Sequence, residues 1–123
     1  MTRILVIDDD EILSLCIADT LSLSSKDMQV ISVTNGKKGV QLAQELQPDL
    51  IVCDLHMPEV SGYEVLAQIR RDQMTAKIPF IFVTCEASFA GRDRGLAMGA
   101  NEYLTKPFAA IQLLKAVELQ LAA

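Results

Sequence analysis

The run Asp49-Leu50-Ile51-Val52-Cys53-Asp54 decides the fold. Leu50 to Cys53 are apolar without interruption, so no polar face exists on that segment. A strand with one face in water alternates apolar and polar residues. A strand in the middle of a parallel sheet, covered by helices on both sides, does not. Ile4-Leu5-Val6-Ile7, toward the N-terminus, and Phe80-Ile81-Phe82-Val83, toward the C-terminus, read the same way. Val30-Ile31-Ser32-Val33 and the weaker Glu102-Tyr103-Leu104 bring the expected strands to five.

Helical spacing fills the gaps between these runs. Leu13, Ile17 and Leu21 recur at i, i+4, i+8. Val40, Ala43 and Leu46 follow the same logic until Pro48 stops the helix. Val65, Leu66 and Ile69 mark a third helix after Gly62. A fourth is expected from about Ser88 to Met98, closed by Gly99, and a fifth after Pro107. Five alternating strand–helix units predict an α/β fold, a five-stranded parallel sheet with helices on both faces. The flavodoxin-like doubly wound (βα)5 arrangement, strand order 2-1-3-4-5, fits that count. Its ligand crevice lies beyond the carboxyl ends of strands 1 and 3.

Composition bounds the rest. The 123 residues are half hydrophobic, enough for one domain spanning 1–123 with its own core. No apolar run approaches the ~18 residues needed to cross a bilayer. The N-terminus lacks a signal-peptide pattern, so a cytoplasmic location is expected. The net charge of −5, without a basic patch or Trp, argues against direct nucleic-acid binding. Cys16, Cys53 and Cys85 show no metal or disulfide spacing and read as reduced core thiols. The sequence ends with the fifth helix, which fits a stand-alone protein, the expectation, or a piece of a longer one.

Strand 1 runs into Asp8-Asp9-Asp10-Glu11, and strand 3 into Asp54. Both acid runs therefore border one crevice. Acids in the first turn of a helix are ordinary caps. Four in a row, facing a further Asp, exceed what a cap needs. A nucleotide or flavin pocket would need a Gly-rich turn here, and none is present. Crowded carboxylates call for a cation, and their hard oxygens suit Mg²⁺. Thr84 ends strand 4 with a hydroxyl, and Lys106 brings an ammonium to the end of strand 5. Carboxylates, hydroxyl, ammonium and a divalent ion on one rim are the parts of phosphoryl transfer.

Taken with Asp49 to Pro58, Gly62, Phe82-Val83-Thr84 and Gly99 to Phe108, this sequence resembles the receiver domains of two-component response regulators along its whole length. The resemblance implies that Asp54 accepts a phosphoryl group from a histidine kinase or histidine phosphotransfer protein. It implies Mg²⁺ held by Asp9, Asp54 and the backbone carbonyl of His56, with Asp8 acting through water. Thr84 and Lys106 would hold the phosphoryl oxygens. Tyr103 would be the switch aromatic that turns inward when Thr84 is drawn to the phosphate, and the Lys106-Pro107 bond would be cis. Such a domain catalyses only its own phosphorylation and dephosphorylation and is not a turnover enzyme.

His56 and Cys85 depart from the family's usual small or amide residues. With Glu86 they are candidates for tuning the lifetime of the phosphorylated state. The expected readout is the helix 4–strand 5–helix 5 face, which would meet an effector protein or domain, or a second copy. Leu114 and Leu119 lie off the Leu113, Val117, Leu121 stripe and add apolar surface there. Ile12, Leu13, Leu15 and Cys16 cannot all face inward from helix 1. Two other readings compete. A haloacid-dehalogenase-like phosphatase would use Asp8 as nucleophile, but its downstream acidic pair is missing. A receiver-like module that binds without being phosphorylated would need a broken acidic site, and this one is complete.

Overall fold

The computed structural model describes residues 1–25 and 27–122. Strands β1 (Thr2–Ile7), β2 (Met28–Val33), β3 (Leu50–Asp54), β4 (Phe80–Thr84) and β5 (Glu102–Thr105) alternate with five helices. These are α1 (Glu11–Ser24), α2 (Gly36–Leu46), α3 (Gly62–Arg71), α4 (Phe89–Ala97) and α5 (Ala110–Ala122). All strand pairs are parallel, in the order β2-β1-β3-β4-β5. The expected architecture is therefore the observed one. β1 and β2 begin two residues earlier than their apolar runs, at Thr2 and Met28. Hydrogen bonding to a neighbour carries a strand past the point where burial ends. Pro107 is followed by two non-helical residues before α5, and Gly99, after α4, has φ 110°.

The continuous apolar runs have a simple explanation in the two cores. Leu5, Ile7, Ile51, Cys53, Phe80 and Phe82 face one layer, with Val40, Ala43, Val65, Leu66 and Ile69 from α2 and α3. Ile4, Val6, Leu50, Val52, Ile81 and Val83 face the other, with Ile17 and Leu21 of α1 and Leu113 and Val117 of α5. Successive side chains point to opposite faces. A central strand with a core on each side therefore has no place for a polar residue.

The cysteine expectation needs correcting. Cys53 is buried in the sheet, but Cys16 and Cys85 are exposed. Cys16 precedes Ile17 on α1 and so lies off its buried stripe. Cys85 has left β4 for the loop. Leu114 also differs from expectation, since it packs half-buried against the α1–α5 core. The large exposed apolar residues of α5, among the described residues, are Ile111 and Leu119, and those of α1 include Ile12 and Leu15. Among the described residues no helix is long and apolar enough to cross a membrane.

Arg70, in the last turn of α3, ties down the amino-terminal edge of the sheet. Its guanidinium donates to the carbonyls of Gly99 (3.1 and 2.9 Å), Ala76 (3.1 Å) and Ile78 (2.7 Å), and to Asn101 Oδ1 (3.0 Å). An ammonium cannot reproduce that planar spread. Arg70→Ala is expected to lower the unfolding free energy by ~2–3 kcal/mol. Arg70→Lys is expected to recover less than half of the loss. Urea titration of the three proteins checks both statements.

Candidate functional site

β1 and β3 pair in register through Ile7 opposite Cys53. The next residues, Asp8 just past β1 and Asp54 at the end of β3, therefore stand side by side, with Asp9 beyond Asp8. Each of the three can present a carboxylate oxygen within 4.8 Å of the other two. Asp8 and Asp54 are buried and Asp9 is exposed at the rim. The Asp10 carboxylate takes no part. Its Oδ1 caps α1 by accepting from the backbone N–H groups of Ile12 (3.1 Å) and Leu13 (3.2 Å). The acidic run thus divides into site residues and a cap.

Lys106 enters from the far edge. Its backbone N–H donates to the Thr84 carbonyl (2.7 Å), which fixes the start of the β5–α5 connection beside the end of β4. Its Nζ donates to Asp8 Oδ2 (3.1 Å) and lies 3.6 Å from Asp54 Oδ2. The Lys106-Pro107 peptide is cis, as the resemblance implies. Asp8 Oδ1 accepts from the Asp10 backbone N–H (2.9 Å), so both Asp8 oxygens are engaged. Thr84 is fully buried, and its Oγ1 accepts from the Glu86 N–H (3.2 Å), which leaves the hydroxyl proton free to donate.

Electrostatics follow from this crowding. Burial, then the charge of Asp8, push Asp54 up to about 6. Asp8 is raised too, chiefly by burial, against hydrogen bonds from Asp10 and Lys106. Burial alone would lower the Lys106 ammonium. The hydrogen bond and charge of Asp8 and the charge of Asp54 outweigh it and hold Lys106 above its usual range. One ammonium thus stands beside two buried carboxylates, with a third at the rim. The set fits a hard divalent cation: all oxygen, clustered, and short of positive charge.

The remaining predicted residues surround this centre. Gly62 brings α3 against the phosphoacceptor candidate's loop. Its N–H donates to the Leu55 carbonyl (2.7 Å), and a Cβ there would overlap the Asp54 carbonyl oxygen. Backbone that close requires glycine. His56 is exposed and its Nε2 lies 3.0 Å from Glu86 Oε1, joining the loops that follow β3 and β4. Sequence reading names both residues but gives no sign that they pair, because they are 30 positions apart. Tyr103 is already inward, 7% exposed, and its hydroxyl donates to the Glu86 carbonyl (2.8 Å). Its ring meets Phe82 edge to face, with centroids 6.1 Å apart. Burial and Glu86 push its phenol up to about 12. Two features of the α3–α4 junction carried no sequence signal. Arg94 lies over the Tyr63 ring (3.9 Å), and the Tyr63 hydroxyl donates to the Gly91 carbonyl (3.1 Å).

Known proteins share this chain's sequence pattern and fold. Residues 4–118 match the family model described as the response regulator receiver domain. The chain is 41% identical over 117 residues to the DNA-binding dual master transcriptional regulator RpaA of Synechocystis sp., covering 95% of this chain and 48% of RpaA. It is 36% identical to Protein PilH of Pseudomonas aeruginosa, covering 99% of each. The chain thus spans about half of the first relative and nearly all of the second. Among solved structures, chemotaxis protein CheY4 of Vibrio cholerae superposes with a TM-score of 0.89 at 28% identity, over 97% of this chain and 98% of CheY4. The non-phosphorylated HemR receiver domain of Leptospira biflexa gives 0.89 at 28% identity, covering 100% of this chain and 96% of that one.

Proposed function

Because this chain belongs to the receiver domains of two-component response regulators, we propose that Asp54 is its phosphoacceptor and that Asp8, Asp9, Thr84 and Lys106 serve the transfer. The observation that carries the reading is convergence on one crevice. Three carboxylates cluster within 4.8 Å, and the Lys106 ammonium lies 3.1 Å from Asp8 and 3.6 Å from Asp54. Asp54 suits the nucleophile better than Asp8, whose two oxygens are both engaged and whose side chain is fully buried. That preference weighs against the phosphatase reading, which needs Asp8 free.

In the proposed reaction an Asp54 oxygen attacks the phosphorus of a phosphohistidine on a kinase or phosphotransfer protein. The O–P bond forms, the P–N bond breaks, and the histidine nitrogen leaves with the electron pair. Lys106 and the Thr84 hydroxyl bind oxygens of the transferred group. Asp9, Asp54 and the His56 carbonyl would hold Mg²⁺, with Asp8 bearing on it through water. When bound, the ion neutralises charge on the phosphoryl oxygens. The product is an acyl phosphate on the chain itself, so the chain turns over once per donor. Added charge near −2 then draws Thr84 and Lys106 and biases the Tyr103 ring and the α4–β5–α5 face. The proposed readers of that face are an effector protein or domain, or a second copy.

Intact-mass measurement after incubation with acetyl phosphate and Mg²⁺ tests the reading. One Mg²⁺-dependent phosphoryl adduct is expected, and none in Asp54→Ala. Phosphate release that survives Asp54→Ala but not Asp8→Ala would instead support the phosphatase. Absence of both adduct and Mg²⁺ binding would support a non-phosphorylated binding module. Timing decay of the adduct in single replacements of His56, Cys85 and Glu86 extends the same experiment to the lifetime proposal.

A further inference from the structure

Glu86 stands two residues past Thr84, in the connection from β4 to α4, and its polar groups reach four different parts of the molecule. Its backbone N–H donates to Thr84 Oγ1 (3.2 Å). Its carbonyl accepts from the Tyr103 hydroxyl (2.8 Å). Oε1 pairs with His56 Nε2 (3.0 Å), on the loop that continues from Asp54. Oε2 lies against Gly91 in the first turn of α4, where a Cβ would overlap it. That helix start is further tied to α3 by the Tyr63 hydroxyl on the Gly91 carbonyl (3.1 Å). The phosphoacceptor's loop and the first turn of α4 therefore meet on the Glu86 side chain, and the Thr84 hydroxyl and the inward ring on its backbone.

We propose that Glu86 is a positioning residue of the switch. Gripped by His56 and seated against Gly91, it fixes the β4–α4 connection so that its carbonyl holds Tyr103 inward before any phosphoryl group arrives. Movement of the loop after Asp54 then reaches Tyr103 through His56 and Glu86, a route that does not pass through the Thr84 hydroxyl. The proposal rests on reading Tyr103 as the switch aromatic. Gly91 belongs to the device, because a Cβ there would overlap Oε2 and oblige the Glu86 carboxylate to shift.

That last point supplies a test from outside the pocket. The full chain is labelled with 3-fluorotyrosine, and Tyr63 and Tyr103 are told apart with Tyr63→Phe. Fluorine NMR then reports whether the Tyr103 ring is inward or exposed, first with no phosphoryl donor. Glu86→Ala removes the side chain. Glu86→Gln keeps an oxygen and an amide that can hydrogen-bond His56. Gly91→Ala keeps Glu86 and improves the helical propensity of α4, and because its Cβ also meets the capping Ser88 hydroxyl at 3.1 Å, a urea titration of the variant checks that the fold is kept. For a half-exposed pair, Glu86→Ala and Gly91→Ala are each expected to shift the inward-to-outward ratio about 2- to 5-fold toward outward. Glu86→Gln is expected to stay close to wild type. An unchanged Tyr103 resonance in both Glu86→Ala and Gly91→Ala overturns the proposal. The donor-free measurement is independent of the acetyl phosphate adduct. If Tyr103 moves in these variants but not when the adduct forms, the positioning role stands and the phosphorylation-driven switch fails.

Discussion

Asp54→Asn is expected to raise the unfolding free energy by roughly 2–3 kcal/mol at pH 7.5 in metal-free buffer, while abolishing the phosphoryl adduct. The gain comes from the charge that the change removes. Burial and Asp8 push folded Asp54 up to about 6, against 3.8 for an ordinary aspartate. The separation of about two pH units is worth roughly 3 kcal/mol at ~1.4 kcal/mol each. Between those two values the folded chain binds more protons than the unfolded one, so stability falls as pH rises from near 4 through 6. Above 6 the penalty is complete; below about 4 it is absent. The variant lacks it throughout. Its advantage should thus be full at pH 7.5 and small at pH 4.5, and urea midpoints with EDTA measure both. Mg²⁺ should close part of the gap at pH 7.5, because an ion that binds only the folded wild type stabilises it. Equal midpoints for the two proteins at pH 7.5 would mean that the Asp54 carboxylate is not under strain.

Such a penalty is what a reaction site is expected to carry, and it bears on what the sequence could reveal. The fold was legible because its signal is one-dimensional. Leu50 to Cys53 and Phe80 to Val83 are apolar without a break, and only a strand with helices on both faces has that property. The gathering of Asp8, Asp9, Asp54, Thr84 and Lys106 at one rim was legible because strand ends are where parallel sheets gather residues, so their placement followed once the strands were placed. Linkages set by side-chain direction were not legible. His56 and Glu86 sit in separate loops, and whether they touch depends on two rotamers and the path of each loop. The close seat of the Glu86 carboxylate on Gly91 is a fact of packing that a lone glycine in a helix does not announce. Exposure of Cys16 and Cys85 was misjudged for a related reason. Cysteine's general preference for burial overrode the phase of α1 and the end of β4, which decide the matter.

Lys106→Met is expected to have the opposite effect to Asp54→Asn, costing about 2–4 kcal/mol at pH 7.5 without divalent cation. Methionine keeps the length of the stem, so what is lost is mainly the ammonium. The side chain is 15% exposed, and Asp8, its hydrogen-bonded partner, is 0% exposed. Removing the cation leaves Asp8 and Asp54 facing each other with no counter-charge, which is far costlier than losing a surface pair. The sign with pH follows from both partners. Lys106 is held above 10.5 when folded, so its contribution is complete below the unfolded value near 10.5 and is lost as pH rises through the raised folded value. At the acid end the contribution fades because Asp8 and Asp54, both raised, take up protons. The difference between wild type and Lys106→Met should therefore be largest between about pH 7 and 10 and should shrink as pH falls through about 6, where Asp54 takes up its proton. Combining Lys106→Met with Asp54→Asn removes one carboxylate along with the ammonium. The pair should then cost less than the sum of the single changes, with a coupling of about 1 kcal/mol or more. Additive energies would show that the ammonium serves Asp8 alone. A clear coupling would show that Asp54 already draws on Lys106 at rest, so that the proposed phosphoryl group would compete for a cation already in use.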